Sequence, residues 1–149
     1  MTEGTLLIVD DDAALRDALA AVLQQSGYTS EQAVDGEEGL KRLRDEPDAF
    51  DGVLLDWKMP RMDGLTMLRH IKADPRTAPL PVIFQTGSGD EQVLKESLAA
   101  GAHYFLSKPV RRQELLATVY TAVQGRRRQR VLWGHVRDSA RTLALMDQG

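Results

Sequence analysis

Residues 51–65 read DGVLLDWKMPRMDGL, and the run Val53-Leu54-Leu55 ending on Asp56 decides how the chain folds. Consecutive apolar residues leave no face for water, so the run reads as a strand covered on both sides. The same pattern opens the chain, where Leu6-Leu7-Ile8-Val9 leads straight into Asp10-Asp11-Asp12. Further runs of strand length stand at Pro81 to Phe84 and His103 to Leu106, with a weaker one at Tyr28 to Val34. Segments of helical periodicity separate them, and that alternation signals parallel βαβ units. The expected fold is α/β: a doubly wound, five-stranded parallel sheet with helices on both faces. The second strand is more polar and is expected at an edge.

Helix boundaries follow from capping chemistry. Asp12 is placed to cap the first helix, whose Leu15, Leu19, Val22 and Leu23 share a face, and Gly27 lies just past its end. The second opens at Asp35 with Glu38 three residues on and stops before Pro47. Asp63 begins the third, which must end near Asp74-Pro75. The fourth runs from about Asp90 to Ala100 and closes at Gly101, and the fifth starts near Val110.

In such sheets ligands sit at the carboxyl ends of the strands. The residues just after the apolar runs are Asp10-Asp11-Asp12, Asp56, Thr86 and Lys108. Clustered carboxylates cannot all stay ionised in a small volume without a cation, and an oxygen-only ligand set suits a hard ion such as Mg²⁺. Neutralised in this way, an Asp oxygen could attack phosphorus in line, with the Thr86 hydroxyl and the Lys108 ammonium holding the remaining phosphoryl oxygens.

Composition narrows the function classes. The chain has 149 residues, 42% apolar and 28% charged, enough for one ordinary domain, and no cysteine, which excludes thiolate metal sites and disulfides. Nothing approaches the ~20 apolar residues of a membrane span, so a cytoplasmic protein is expected. Residues 125–149 carry six Arg against Asp138 and Asp147, whereas residues 1–124 carry 13 basic and 20 acidic side chains. An acidic body argues against nucleic-acid binding by this chain alone. Neither a Walker loop nor G-x-G-x-x-G is present, and His70, His103 and His135 fall at no metal-ligand spacing.

Four segments, LLIVDDD (6–12), DGVLLDWKMPRMDGL (51–65), PVIFQTG (81–87) and GAHYFLSKPV (101–110), resemble the receiver domain of bacterial two-component response regulators. The resemblance covers residues 5 to about 124. It implies a flavodoxin-like strand order 2-1-3-4-5. It also implies that Asp56 is the phosphoacceptor, with Mg²⁺ or Mn²⁺ held by Asp10, Asp11, Asp56 and the backbone carbonyl of Lys58. Thr86 and Lys108 match the phosphoryl-binding positions, and Thr86 and Phe105 the switch pair whose inward movement remodels the face of the fourth helix, fifth strand and fifth helix. The implied partner is a sensor histidine kinase or phosphotransfer protein. The implied activity is a switch that catalyses its own phosphorylation and dephosphorylation without substrate turnover. Gln85 and Gly87 depart from the family pattern, the latter adding backbone freedom beside Thr86. Lys58 and Ser88 occupy positions that the family varies to tune dephosphorylation.

Two other functions compete. An Asp-nucleophile phosphatase of the haloacid-dehalogenase type would use Asp10 and Asp12, but Ala14 replaces the hydroxyl or branched residue of its signature. A pseudo-receiver that binds partners without phosphorylation is opposed by the intact Asp10, Asp11, Asp56, Thr86 and Lys108. Residues 1–124 are expected to form the receiver and 125–149 a basic amphipathic C-terminal helix, with Leu132, Val136, Ser139 or Ala140, and Leu143 on one stripe. That helix is read either as an extension of the fifth helix folded against the body or as a parallel coiled coil or linker. A homodimer is expected through the switch face or through this helix.

Overall fold

A computed structural model describes residues 2–147 other than Ser88, with side chains described as far as Leu132. In chain order the elements are β1 (Gly4–Val9), α1 (Ala13–Gln25), β2 (Tyr28–Ala33), α2 (Gly36–Asp45), a 3-10 turn (Pro47–Ala49), β3 (Gly52–Asp56), α3 (Gly64–Ala73), β4 (Val82–Thr86), α4 (Glu91–Ala99), β5 (Tyr104–Ser107) and α5 (Arg112–Asp147). The sheet is parallel throughout, in the order β2-β1-β3-β4-β5. As expected from its polarity, β2 lies at an edge.

Alternation along the strands divides the core in two. Leu7, Val9, Val53, Leu55, Val82 and Phe84 pack with Leu40 and Leu43 of α2 and Leu65, Leu68 and Ile71 of α3. Leu6, Ile8, Leu54, Ile83 and Leu106 face the other way, against Leu19 and Leu23 of α1 and Leu115, Val119 and Val123 of α5. Each fully buried Leu or Ile contributes on the order of 1.5–3 kcal/mol. Those contributions fix the register, because a one-residue slip would exchange the two cores.

The caps lie where the sequence puts them. Asp12 accepts from the Leu15 amide, Asp35 from Glu38 and Asp63 from Thr66. Gly27 and Gly101 close α1 and α4 at φ 88° and 105°. Some boundaries differ from expectation, and β5 is shifted one residue on, to Tyr104–Ser107. β4 continues through Gln85 and Thr86, because backbone pairing with Leu106 and Ser107 is indifferent to side-chain polarity. The segment at Pro47 forms a 3-10 turn that apolar periodicity does not signal.

α5 is one continuous helix of 36 residues, about 54 Å long at the usual rise. Its middle is tied to the body. The Arg130 guanidinium donates to Asp51 at 2.9 Å and to the Phe50 carbonyl at 3.2 Å, while Asp51 also accepts from the Thr5 amide. Of the expected C-terminal stripe, Leu132 is exposed. The side chains of Val136, Ser139, Ala140 and Leu143 lie outside the described residues.

Candidate functional site

Two adjacent strand ends converge on one acidic cluster. Asp10 follows β1, Asp11 comes next, and Asp56 ends β3, which pairs directly with β1. Carboxylate oxygens of the three lie within 4.8 Å of one another. Asp10 and Asp56 are buried and Asp11 is exposed, so the cluster opens to solvent on one side. Burial pushes the Asp10 carboxyl above the ordinary range, with the charges of Asp56 and Asp11 adding to the rise against the lowering effects of the Asp12 amide and Lys108. Its Oδ1 accepts from the Asp12 amide, whereas Oδ2 is buried without a hydrogen-bond partner among the described residues. An orphaned, desolvated carboxylate oxygen on a residue clustered with two further carboxylates is what a hard divalent cation would satisfy, so the residues fit Mg²⁺ or Mn²⁺.

From the neighbouring edge the Lys108 ammonium reaches Asp56 Oδ1 at 2.7 Å. Burial alone would lower the pKa of this lysine, but the hydrogen bond to Asp56 and the charges of Asp56, Asp10 and Asp11 outweigh it and hold the group above its ordinary value. The backbone sets its position, since the Lys108 amide donates to the Thr86 carbonyl at 2.8 Å. Thr86 ends β4 and is nearly buried. A cavity of about 190 Å³ beside Asp56 is walled by Trp57, Lys58, Gly87, Asp90 and Lys108. Lys58 is exposed, with its ammonium 5.5 Å from the Trp57 ring centroid. Phe105 stands on β5 opposite Phe84, half-buried against the α2–α3 side of the core and away from this cavity.

The loop carrying Asp56 into α3 is held from within. The Gly64 amide donates to the Trp57 carbonyl at 2.9 Å, and a Cβ on Gly64 would collide with the Asp56 carbonyl and the Trp57 Cα. Glycine is therefore required here by close approach. Arg61 takes φ 66°, uncommon for a side chain of its size, and donates to the buried Asp35 at 2.6 Å, tying the loop to the start of α2.

Sequence reasoning missed Asp90. Its position before α4 reads as a helix cap, yet it makes no cap hydrogen bond. Its Oδ2 instead accepts from the Gly87 amide at 2.8 Å and from the Trp57 indole at 3.1 Å, joining the loop after Thr86 to the residue after Asp56. Gly87, expected to loosen this loop, is thus held by Asp90.

A doubly wound domain with carboxylates, a lysine and a hydroxyl residue gathered at the carboxyl edge of a parallel sheet is an α/β domain of the response-regulator type. The chain belongs to the response regulator receiver domain family, whose model matches residues 6–120. The response regulator MprA of Mycobacterium ulcerans is 42% identical over 113 residues, 75% of this chain and 47% of that protein. The DNA-binding dual master transcriptional regulator RpaA of Synechocystis is 36% identical over 115 residues, 76% of this chain and 46% of that protein. The chain thus spans about half the length of these curated relatives. Among solved structures, a response regulator of Chloroflexus aurantiacus superposes with a TM-score of 0.76 at 34% identity, covering 81% of this chain and 98% of that one. Full-length FixJ of B. japonicum gives 0.75 at 32%, covering 85% and 60%. No helix among the described residues is long and apolar enough to cross a membrane.

Proposed function

We propose that this receiver is a switch in which Asp56 accepts a phosphoryl group from the phosphohistidine of a sensor histidine kinase or phosphotransfer protein. The observation that carries the reading is the convergence of Asp10, Asp11 and Lys108 on the Asp56 carboxylate. Asp56 uses a carboxylate oxygen as the nucleophile: its bond to phosphorus forms as the bond from phosphorus to the donor nitrogen breaks. Lys108 supplies positive charge at the oxygen it already contacts and then at a phosphoryl oxygen, and the Thr86 hydroxyl donates to another. Asp10, Asp11, Asp56 and the Lys58 carbonyl would hold Mg²⁺ or Mn²⁺. A bound ion supplies charge neutralisation between the carboxylates and the incoming phosphate.

Phosphorylation and its reversal are catalysed by the chain's own residues, with no separate substrate turned over. Movement of Thr86 toward the phosphoryl group draws Phe105 inward and changes the α4–β5–α5 face, which is the surface read by partners or by a second copy. The C-terminal part of α5 serves as a linker or dimerisation helix, and the protein acts in the cytoplasm.

The test is incubation with Mg²⁺ and a small acyl-phosphate donor, followed by intact mass. The expected product is a hydroxylamine-labile phosphoryl adduct, absent in Asp56→Asn. Turnover of phosphate monoesters that depends on Asp10 would instead establish a phosphatase.

A further inference from the structure

At the opposite, amino-terminal edge of β4 and β5 lies a second cavity, of about 220 Å³, unconnected with the acidic cluster. Its walls come from the end of α3, the segment Ala78–Pro81, the start of β5 and the middle of α5. Lys72, His103, Tyr104, Arg126 and Gln129 are its polar side chains, and no Asp or Glu among the described residues lines it. In a chain of net charge −3 that is a marked local excess of donors.

The two cations are poorly satisfied. The Lys72 ammonium donates to the carbonyls of Ala78 at 3.0 Å and Leu80 at 3.2 Å, leaving one of its three N–H bonds. Arg126 Nε is buried without a hydrogen-bond partner among the described residues. Neither residue is in a salt bridge with a described carboxylate, and nearby Asp51 is committed to Arg130 and the Thr5 amide. Burial lowers the pKa of Lys72, and burial with repulsion from Arg130 lowers that of Arg126 against the opposing pull of Asp48 and Asp51. Both side chains are half-buried, and a partly desolvated cation without a counter-ion carries a cost that is relieved when an anion brings both charge and acceptors.

We propose that this cavity binds a small tetrahedral oxyanion of the phosphate type, bridging the Lys72 ammonium and the Arg126 guanidinium. A planar guanidinium fork suits two oxygens of such an ion, and the ammonium acts as a point charge on a third. The bound ion would clasp the α3–β4 connection to α5 four residues before Arg130, at the root of the C-terminal helix.

The experiment is a titration of the full ¹⁵N-labelled chain with inorganic phosphate, followed by amide chemical shifts, with sulfate, acetate and chloride at matched ionic strength. Saturable shifts at Ala78, Leu80, Tyr104, Gly125 and Arg126 are expected with phosphate and sulfate. Arg126→Gln should weaken binding at least about tenfold, the scale of a lost charge-assisted contact. Gln129→Glu, on an exposed wall, should weaken it similarly and gives a reading if the first variant is misfolded. Shifts confined to residues around Asp56 and Lys108, an equal response to chloride or acetate, or variants that bind as the parent does would each overturn the proposal.

Discussion

Gln85 is the residue at which the sequence departs most from the physics of its surroundings. It is fully buried in a central strand, and neither its amide nitrogen nor its oxygen has a hydrogen-bond partner among the described residues. An unsatisfied buried amide costs roughly 1–3 kcal/mol. Gln85→Leu, similar in volume, should therefore raise stability in urea denaturation by about that amount. Asp35 presents the opposite case. The Glu38 amide lowers its pKa more than burial raises it, and Arg61 adds to the lowering. A depressed folded pKa means that ionised Asp35 stabilises the fold above the unfolded value and loses that contribution as pH falls through the folded one. Asp35→Asn keeps a capping oxygen and removes the charge, so the stability–pH profile should become shallower below about pH 4. That Asp10, Asp11, Asp56 and Lys108 come together was legible because they stand at the ends of apolar runs. Asp90 and the Asp35–Arg61 pair were not, since their partners lie 33 and 26 residues away and no local spacing announces them.

Strands and helices were legible wherever burial and capping agreed. The run Leu6–Val9 is buried throughout, and Asp12, Asp35 and Asp63 cap as their positions imply. Legibility failed where backbone pairing alone sets the element, as at Gln85 and Thr86. In the connection from β4 to α4, Asp90 serves two donors from different elements. Asp90→Ala strands both the Gly87 amide and the Trp57 indole, and should lower stability by roughly 1–3 kcal/mol. It should also change Trp57 fluorescence in a Trp133→Phe background. An unchanged spectrum would mean that the loop is held by other contacts. Gly64 belongs to the same scale, because α3 can begin so close to Asp56 only without a Cβ. Gly64→Ala should displace the Asp56 loop and reduce labelling by an acyl phosphate.

On the scale of the whole molecule, an acidic receiver carries a long basic-rooted helix. The sequence left open whether residues beyond 125 fold back or stand apart. α5 continues unbroken, and Arg130 binds Asp51 at the base of the sheet. Beyond that point the side chains of Val131 and Leu132 are exposed, 59% and 63%. Sedimentation of the chain with and without residues 125–149 should give a heavier species only when the segment is present. Two monomers in both phosphorylation states would exclude the dimer. The central claim, however, concerns a single carboxylate and is tested most directly by mapping the phosphoryl group. After reaction with an acyl phosphate and Mg²⁺, peptide mass spectrometry should place the group on Asp56 within residues 51–65. A group found on Asp10 or on one of the histidines, or no adduct with the folded chain, would contradict it.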